Sequence, residues 1–276
     1  MTNYSVLMSV YYKENPEYLK VSIESILNQT VSTDDFVIVK DGPLTNELDC
    51  ILDYYKNRYP NQINIFSLSE NVGLGKALSY GLDKCKNDIV GRMDSDDISY
   101  LDRFEKQIAV LNDDLTLAVV GSWIDESMDM KKIISKKIVP EFNDELVKYS
   151  KKRCPLNHVS VTFRKKTVLD SGGYIDCHYN EDYYLWIRMI QQGRKIHNIQ
   201  ESLLMVRVGK EMYDRRGGLK YFKSEYFIQK QMLTFGQINI FRFILNVIIR
   251  VTVQVIIPGK IRAFLYNNIF RKKVNK

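Results

Sequence analysis

The first third of the 276-residue chain alternates short apolar runs with longer amphipathic ones. Runs rich in β-branched or aromatic residues predict strands, at residues 5–12, 35–39, 63–68 and 89–93. Between them, apolar residues recur at three- and four-residue intervals, which predicts helices, over residues 17–29, 48–59 and 76–84. Strands that alternate with helices of this length indicate βαβ units, and therefore an α/β fold with a mostly parallel central sheet and helices on both faces.

The chain continues this alternation to about residue 237 without an internal repeat or a low-complexity linker. The patterns predict, in chain order, a helix near residues 100–112, strands at 117–121 and 159–164, a short helix at 166–171 and an amphipathic helix beginning near Glu181. Residues 126–153 are rich in lysine and weakly patterned. We therefore expect one continuous domain over residues 1–237 and a distinct tail over residues 238–276.

The tail begins with an apolar stretch, residues 238–257, in which polar side chains recur every four residues. This spacing draws one narrow polar stripe along a helix, formed by Arg242, Asn246, Arg250 and Gln254. Two arginines at interior positions argue against a free-standing transmembrane span. We expect amphipathic helices that lie in a membrane surface, with apolar residues in lipid and cationic side chains towards anionic headgroups. A helix packed on its own domain is the alternative.

The charge of the chain separates this tail from the domain. The net charge is +7, and residues 238–276 carry eight of the 40 basic residues but no acidic one. The other 32 basic residues stand against all 33 acidic ones, which leaves a balance of −1 over residues 1–237. That balance counts against a broad nucleic-acid footprint, so we predict no nucleic-acid partner. The four cysteines lack metal-binding spacing and the N-terminus lacks a signal-peptide pattern, which favours a cytoplasmic setting.

The most informative polar motif is the run Asp94-Ser95-Asp96-Asp97, which follows the predicted strand at residues 89–93. Carboxylates this close repel one another unless a cation or hydrogen bonds offset the repulsion. Mg²⁺ and Mn²⁺ prefer oxygen ligands and often combine one or two carboxylates with substrate phosphates. A solvated turn is the alternative, because Asp and Ser also favour turns and helix caps. Asp41 follows another strand, so we expect it at the same edge of the sheet.

Further motifs accompany this run in a definite order. They are Tyr11 and Glu14 near the first strand end, Asp41-Gly42, Glu70-Asn71-Val72-Gly73-Leu74-Gly75-Lys76-Ala77-Leu78, Arg92-Met93-Asp94-Ser95-Asp96-Asp97, Gly172-Gly173-Tyr174 and Glu181-Asp182-Tyr183-Tyr184-Leu185-Trp186. Over residues 4–205, this succession resembles family 2 glycosyltransferases, which are inverting enzymes that use nucleotide sugars. The resemblance implies a single Rossmann-like domain of the glycosyltransferase A type. Within it, residues 1–100 would bind the nucleotide sugar and residues 101–237 the acceptor.

The resemblance assigns three residues to the nucleoside of the donor. Asp41 would accept hydrogen bonds from the nucleotide base, which suits a carboxylate. Tyr11 and Glu14 would pack on the nucleoside or bond to it. Two of the three have a structural alternative, since Asp41 precedes a glycine as a turn residue would and Tyr11 stands at a strand end, where a packed aromatic ring is common.

Four further residues match positions near the diphosphate and the donor sugar. Asp94 and Asp96 would hold Mn²⁺ or Mg²⁺, which neutralises the charge on the departing nucleoside diphosphate. Arg92 would bind the sugar or orient the carboxylates, and its structural alternative is a simple ion pair. Lys76 would supply positive charge, although most lysines only face solvent.

On the acceptor side, the resemblance implies that Asp182 is the general base, with Glu181 beside it. Such a base deprotonates an acceptor hydroxyl, which then attacks the anomeric carbon opposite the leaving group. The alternative for this acidic pair is a favourable interaction with a helix dipole. Trp186 is either an acceptor-sugar platform or a core residue. His158 either positions the pyrophosphate or acceptor, or is a hydrogen-bonded structural histidine.

These expectations together describe a UDP-sugar-dependent hexosyltransferase. It would move galactose or glucose to a lipid-linked saccharide, N-acetylglucosamine-diphospho-undecaprenol by analogy, in a β-1,3 linkage during O-antigen or capsule synthesis. We expect a peripheral protein at the cytoplasmic face of a bacterial inner membrane. Two rivals stay open: a metal-dependent nucleotidyltransferase, which would not need Asp182, and a non-enzymatic basic protein that binds membrane surfaces or nucleic acid.

Overall fold

The structure is a computed structural model that describes residues 2–209, 217–257 and 272–273. Its strands are β1 (Tyr4–Val10), β2 (Asp35–Lys40), β3 (Ile63–Ser67), β4 (Ile89–Asp94), β5 (Ile98–Ser99), β6 (Leu117–Ser127), β7 (Ile133–Lys137), β8 (Thr162–Arg164), β9 (Lys195–Arg207) and β10 (Lys272–Lys273). Its α-helices are α1 (Pro16–Leu27), α2 (Asn46–Arg58), α3 (Leu74–Lys84), α4 (Arg103–Asp113), α5 (Asn143–Ser150), α6 (Lys165–Asp170), α7 (Glu181–Gln191), α8 (Gly218–Thr234) and α9 (Ile240–Val251). A 3₁₀ turn (His158–Ser160) precedes β8, and a π-helical turn (Thr252–Ile256) follows α9.

One sheet organises the domain, and its two halves differ in strand direction. The strand order is β10-β7-β6-β8-β4-β1-β2-β3, with β9 paired to β6 and to β5. Strands β3, β2, β1 and β4 are parallel, as the alternation of strands and helices predicts. Beyond β4 the sheet is mixed, because β8 runs antiparallel to both β4 and β6. Only five residues separate β6 from β7, too few for a crossover helix, so this pair is an antiparallel hairpin.

Three strands of the parallel half, β1, β2 and β4, are buried on both faces. Side chains of a strand point alternately to opposite faces, and in β1 Val6 and Met8 join the core layer beneath α1, α2 and α4, whereas Leu7 joins the layer beneath α3 and α7. Such two-sided burial is typical of parallel sheets in α/β proteins. The predicted α/β class is therefore confirmed. All four cysteines are free thiols.

The carboxyl ends of three parallel strands meet at one edge of the sheet. Ser9 of β1 lies beside Val39 of β2 on one side and Asp94 of β4 on the other. The backbone N–H of Asp41 donates to the carbonyl of Val10, at a distance of 2.8 Å. The edge predicted from the strand ends thus carries Asp41 and Asp94 together.

The segments with weak or mixed patterns differ most from expectation. The lysine-rich residues 126–153 contain the end of β6, all of β7 and all of α5. The run at 159–164 divides into the 3₁₀ turn and the three-residue strand β8. These elements are short, so periodicity has little length in which to show itself.

The C-terminal helix pair, α8 and α9, places the predicted polar stripe against the protein. Asn246 and Arg250 of α9 are buried, as is Gln254 in the following π-helical turn. Apolar side chains point outward instead, and Phe241 and Ile248 are 79% and 57% exposed. The expectation that the cationic stripe faces lipid headgroups is wrong for Arg250, because its guanidinium bonds to the buried Glu225 carboxylate at 2.6 Å.

The length and polarity of the described helices bear on the expected membrane contact of this tail. Among residues 2–209 and 217–257, no helix combines the length and the apolar character needed to cross a bilayer. Of the expected tail over residues 238–276, residues 258–271 and 274–276 lie outside the described residues.

Candidate active site

The acidic loop, residues 94–97, forms the turn between β4 and β5. Carboxylate oxygens of Asp94, Asp96 and Asp97 lie within 4.8 Å of one another. The Ser22 hydroxyl of α1 donates to the Asp94 carbonyl at 2.7 Å and fixes the point where β4 ends. The local fold therefore gathers the three acidic side chains at the sheet edge instead of leaving them spread through solvent.

The electrostatics of this loop are unfavourable to full ionisation. Burial, followed by the charges of Asp94 and Glu14, raises the pKa of Asp96 to about 7. Burial and the charges of Asp96 and Asp94 hold the pKa of Asp97 well above its ordinary range. A nearby positive ion would relieve this repulsion and return the carboxyl groups to their charged form.

The donor set fits a hard divalent cation. It consists of carboxylate oxygens, which Mg²⁺ and Mn²⁺ prefer. Asp97 is 1% exposed, and its Oδ2 atom has no hydrogen-bond partner among the residues that the structure describes. Its Oδ1 atom accepts from the Arg207 backbone N–H at 2.8 Å, so Asp97 also joins the acidic loop to the end of β9. Asp94 and Asp96, each partly exposed, are left as the groups best placed to meet a ligand from solvent.

Arg92 orients the first carboxylate of the loop. Its buried guanidinium forms an ion pair with Asp94 Oδ1. The Arg103 guanidinium in turn donates to the Arg92 carbonyl at 2.7 Å. Although burial alone would lower it, the Asp94 carboxylate raises the pKa of Arg92, which therefore stays charged. Of the two roles expected for Arg92, this geometry provides the orientation of the carboxylate, and contact with a sugar stays a prediction.

Glu14 lies closer to the acidic loop than the sequence suggests. Its carboxylate accepts a hydrogen bond from the Ser95 hydroxyl, between two of the acidic residues. Burial raises the pKa of Glu14. Tyr11, three residues earlier, is 40% exposed at the same edge. Contacts of Glu14 and Tyr11 with a nucleoside stay predictions.

Asp41 has a structural function within the site. Its Oδ1 atom accepts from the Val72 backbone N–H at 2.7 Å, and its Oδ2 atom accepts from the Gly73 N–H and the Asn71 side-chain amide, each at 3.1 Å. The side chain is buried, and these bonds fasten the loop before α3 to the end of β2. A bond from Asp41 to a nucleotide base would be additional to these contacts, and it stays a prediction.

The start of α3 packs directly against the acceptor-side acid pair. A Cβ atom built on Gly75 would lie only 3.3 Å from the Cβ atom of Glu181, so glycine permits the two helix starts to approach. Lys76, the next residue, is exposed to solvent. The contact of Lys76 with a diphosphate stays a prediction.

Glu181 and Asp182 begin α7 and have raised proton affinities. Burial, with the Asp182 charge, raises the pKa of Glu181 to about 7. Burial also raises the pKa of Asp182, against the opposing effect of the Tyr183 backbone N–H. The Cys154 thiol donates to Asp182 Oδ2 at 3.4 Å. A carboxylate with a raised pKa accepts a proton more readily near neutral pH, which is the property that a general base needs.

Arg92 links the two acidic groups of the site. Its positive charge lowers the pKa of Asp97 in the acidic loop and of Glu181 and Asp182 at α7, and so works against the effect of burial. The charge of one buried arginine therefore acts on both acidic groups, the loop at residues 94–97 and the pair that begins α7. This arrangement suits a substrate whose reacting atoms lie between a charged leaving group and a hydroxyl that must lose its proton.

His158 lies beside Tyr174 near the site, whereas Trp186 lies in the core. His158 Nε2 forms a hydrogen bond with the Tyr174 hydroxyl at 3.0 Å. Burial and the Arg92 charge hold the pKa of His158 well below its usual value, so the ring is neutral. Trp186 is fully buried in the core beneath α7. The acceptor-platform interpretation of Trp186 is therefore wrong, and its helical spacing with Leu185 and Met189 reflects core packing.

Sequence reasoning missed two residues of the site. Arg207 at the end of β9 donates through its backbone to Asp97, and its guanidinium lies 3.4 Å from the centre of the Tyr18 ring. The other is Ser95, which stands within the acidic run and whose hydroxyl donates to the Glu14 carboxylate. No local spacing signals Arg207, because it reaches the loop from 110 residues away.

Sequence comparison relates the chain to known proteins along its whole length. The Glycosyl transferase family 2 profile matches residues 5–171. The chain is 38% identical over 272 residues to the UDP-Gal:alpha-D-GlcNAc-diphosphoundecaprenol beta-1,3-galactosyltransferase of Escherichia coli, an alignment that covers 98% of this chain and 97% of that protein. It is 36% identical over 263 residues to the amylovoran biosynthesis glycosyltransferase AmsE of Erwinia amylovora, covering 95% of this chain and 97% of the relative.

Structural comparison gives the same fold. The S. aureus TarS 1-349 structure in complex with UDP-GlcNAc aligns with a TM-score of 0.67 at 16% identity, over 91% of this chain and 73% of TarS 1-349. The mannosyltransferase PcManGT from Pyrobaculum calidifontis in complex with GDP-Man and Mn²⁺ aligns with a TM-score of 0.65 at 14% identity, over 84% of this chain and 64% of PcManGT. At these identities the likeness establishes the fold alone.

The acidic loop predicts stabilisation by divalent cations. Mn²⁺ at about 100 times its Kd should add about 2.7 kcal/mol to the free energy of unfolding, which raises Tm by about 5 °C in a chain of this size. Asp96→Asn should abolish most of this shift, whereas Asp113→Asn, an exposed carboxylate at the end of α4, should retain it. Scanning calorimetry with and without Mn²⁺ or Mg²⁺ measures the effect, and an equal shift in both variants would refute the site.

Proposed function

Because the chain belongs to glycosyl transferase family 2, we propose that it transfers galactose from UDP-galactose to N-acetylglucosamine-diphospho-undecaprenol with inversion, forming a β-1,3 linkage. The donor and acceptor are those in the name of the Escherichia coli relative, which aligns over nearly the full length of both chains. UDP-glucose is the alternative donor, because the residues that distinguish the two hexoses are not identified by the motifs. The product would serve O-antigen or capsular polysaccharide synthesis. Family membership removes support from the non-enzymatic and nucleotidyltransferase rivals.

The observation that carries the proposal is the presence of two acidic groups around Arg92, which is ion-paired to Asp94 and whose charge opposes the raised pKa values of Glu181 and Asp182. On the donor side, Asp94 and Asp96 would hold Mn²⁺ or Mg²⁺. When bound, the cation supplies Lewis-acid stabilisation of the negative charge on the departing diphosphate. Arg92 keeps Asp94 oriented for this role through its ion pair. Asp97 supports the loop from beneath through the Arg207 backbone.

On the acceptor side, Asp182 would take the proton from the attacking hydroxyl. The acceptor oxygen forms a bond to the anomeric carbon while the bond from that carbon to the phosphate oxygen breaks, and UDP leaves with the bonding electrons. Attack opposite to the leaving group inverts the configuration of the carbon. The raised pKa of Asp182 supports this role, because proton transfer is most effective when the pKa of the base lies near the working pH.

Membrane association is the further part of the proposal. The outer face of α9 exposes a row of apolar side chains, Ile240, Phe241, Ile244, Leu245, Ile248 and Ile249. Residues 217–257 include five basic residues against the single acid Glu225, and Lys220, Lys223 and Lys230 are exposed. An exposed apolar row on a segment with a net positive charge suits an anionic lipid surface. We therefore place the enzyme peripherally at the cytoplasmic face of a bacterial inner membrane, where a lipid-linked acceptor is available.

Replacement of the proposed base should separate donor binding from transfer. Asp182→Asn should bind UDP-galactose with unchanged Kd but lose about 100-fold or more in transfer rate, the range expected for general-base catalysis. Wild-type transfer should decline as pH falls, because protonation of Asp182 removes the base. Asp176→Asn, an exposed acid shortly before α7, is the matched control. Calorimetric donor binding and product mass measure the two steps, and normal transfer by Asp182→Asn would refute the base.

Substitution on the outer face of α9 tests the membrane surface. The double variant Ile248→Gln, Ile249→Gln should reduce binding to phosphatidylglycerol vesicles by about tenfold or more, since each change removes about 1 kcal/mol of apolar burial in lipid. Leu115→Gln, which is also exposed but lies between α4 and β6, should bind as the wild type does. Co-sedimentation with the vesicles measures the partition. Equal binding by the double variant would exclude this face as the membrane contact.

A further inference from the structure

The inner side of α9 bonds to the chain segment that leads to Cys154. The Asn246 side-chain amide donates to the Lys151 carbonyl at 2.8 Å, and the Arg250 guanidinium donates to the Lys152 carbonyl at 3.0 Å. Two residues further on, the Cys154 thiol contacts the Asp182 carboxylate at 3.4 Å. A short run of backbone therefore connects the polar stripe of α9 to the proposed base.

Helix α8 holds α9 in this position. The Arg250 guanidinium bonds to the Glu225 carboxylate at 2.6 Å, with both side chains at least nine-tenths buried. The Gln229 side-chain carbonyl accepts from the Asn246 amide at 2.7 Å. Buried ion pairs and amide pairs have strict geometric requirements, because a displaced partner leaves a charge or a polar atom unsatisfied. The two helices therefore have one preferred register against each other.

Helix α8 also binds the loop that begins α7. The Ser224 hydroxyl accepts from the Asn180 side-chain amide at 2.5 Å and donates to the His178 carbonyl at 3.0 Å. Asn180 directly precedes Glu181 and Asp182. Within this loop, His178 and Tyr179 have positive φ angles of 20° and 63°. Residues with side chains rarely adopt such angles unless their surroundings hold them there, and Ser224 supplies two of the bonds that do so.

Apolar packing completes the connection between α7 and α8. Tyr183 and Ile187 of α7 pack with Ile228 and Met232 of α8 in a core cluster separate from the two that cover the sheet. Its α7 members begin with Tyr183, the residue directly after Asp182. The start of α7 is consequently set by contacts to α8 as well as by contacts to the sheet.

We propose that Ser224, Asn246 and Arg250 are positioning residues for Asp182, so that the C-terminal helix pair holds the acceptor-activating carboxylate in place on its inner side while its outer side contacts the membrane. Ser224 acts through the loop that starts α7. Asn246 and Arg250 act through the backbone that carries Cys154. The inference rests on the proposed function, because it concerns the geometry of the transfer step. It extends that function by making the helix pair part of the acceptor site as well as a membrane contact.

The test uses a water-soluble acceptor, so that loss of membrane binding does not affect the result. The full-length chain is assayed with UDP-galactose, Mn²⁺ and N-acetylglucosamine diphosphate bearing a short alkyl group. Ser224→Ala should reduce kcat by about tenfold or more, since a displacement of about 1 Å can cost about 100-fold in rate. The Kd for UDP-galactose should change less than about twofold, because the donor-side carboxylates have no contact with Ser224. Ser224→Thr, which keeps the hydroxyl, should recover most of the lost rate.

A matched control and a second variant distinguish positioning from general destabilisation. Thr234→Ala removes a hydroxyl of α8 that bonds to its own helix, at the Lys230 carbonyl, and should retain wild-type kcat. Asn246→Ala leaves the ion pair between Glu225 and Arg250 in place, and it should lower kcat with unchanged donor Kd, as Ser224→Ala does. The melting temperatures of all variants are compared alongside, so that a folding defect is recognised.

The outcomes separate this inference from the proposed function. If the wild type transfers galactose but Ser224→Ala and Asn246→Ala keep its kcat, the positioning role is refuted and the function stands. If the variants lose donor affinity and melting temperature in parallel with rate, their role is structural and the inference is again refuted. If the wild type fails with every UDP-hexose, the proposed function fails, and the inference fails with it.

Discussion

The repulsion between carboxylates at the end of β4 is the constraint on which the rest of the site depends. Parallel strands bring their carboxyl ends to one edge, and this sheet uses that edge to hold Asp94, Asp96 and Asp97 within 4.8 Å of one another. Such a cluster lowers stability unless positive charge and hydrogen bonds compensate. Arg92, Ser22 and the backbone of Arg207 each supply part of that compensation. Burial and mutual repulsion still raise the pKa values of Asp96 and Asp97, and a bound cation would lower them.

The sequence predicted the parallel half of the fold better than the mixed half. Strands β1, β2 and β4 are buried on both faces, so each appears as a largely apolar run. In contrast, β5 and β8 are two and three residues long, and their partners lie far away in the sequence. Antiparallel pairing of such short strands depends on tertiary contacts that no local period records. The predicted fold class, family and glycosyltransferase activity are nevertheless confirmed.

The site residues divide in the same way, into those placed by local pattern and those placed by distant contacts. Asp94, Asp41 and Glu181 stand at strand or helix ends, and their positions follow from the topology. Arg207 could not be found in this way, because it is separated from its partners by about two fifths of the chain. Trp186 shows the opposite error. A large aromatic residue near an acidic pair resembles a sugar platform. Its helical spacing with other apolar residues indicates instead a position in the core, where the structure places it.

The polar stripe of α9 illustrates a limit of amphipathic patterns. Spacing of four residues fixes which side chains share a face, but it does not say whether that face meets solvent, lipid or protein. Here the deciding partner is Glu225, the single acidic residue of residues 217–257, on the preceding helix. Because Arg250 finds its counter-charge inside the molecule, the apolar side of α9 is left outward. The polar side of the tail therefore packs on the domain, and contact of its apolar side with a membrane stays a proposal.

The proposed reaction is a single displacement at the anomeric carbon, between a cation-bound diphosphate leaving group and a hydroxyl activated by Asp182. The most direct measurement is the anomeric configuration and linkage position of the purified product, determined by NMR after reaction with UDP-α-galactose and N-acetylglucosamine-diphospholipid. One inversion predicts a β-galactosyl linkage to O3 of N-acetylglucosamine. An α-linked galactosyl product would contradict the single displacement and the assignment of Asp182 with it.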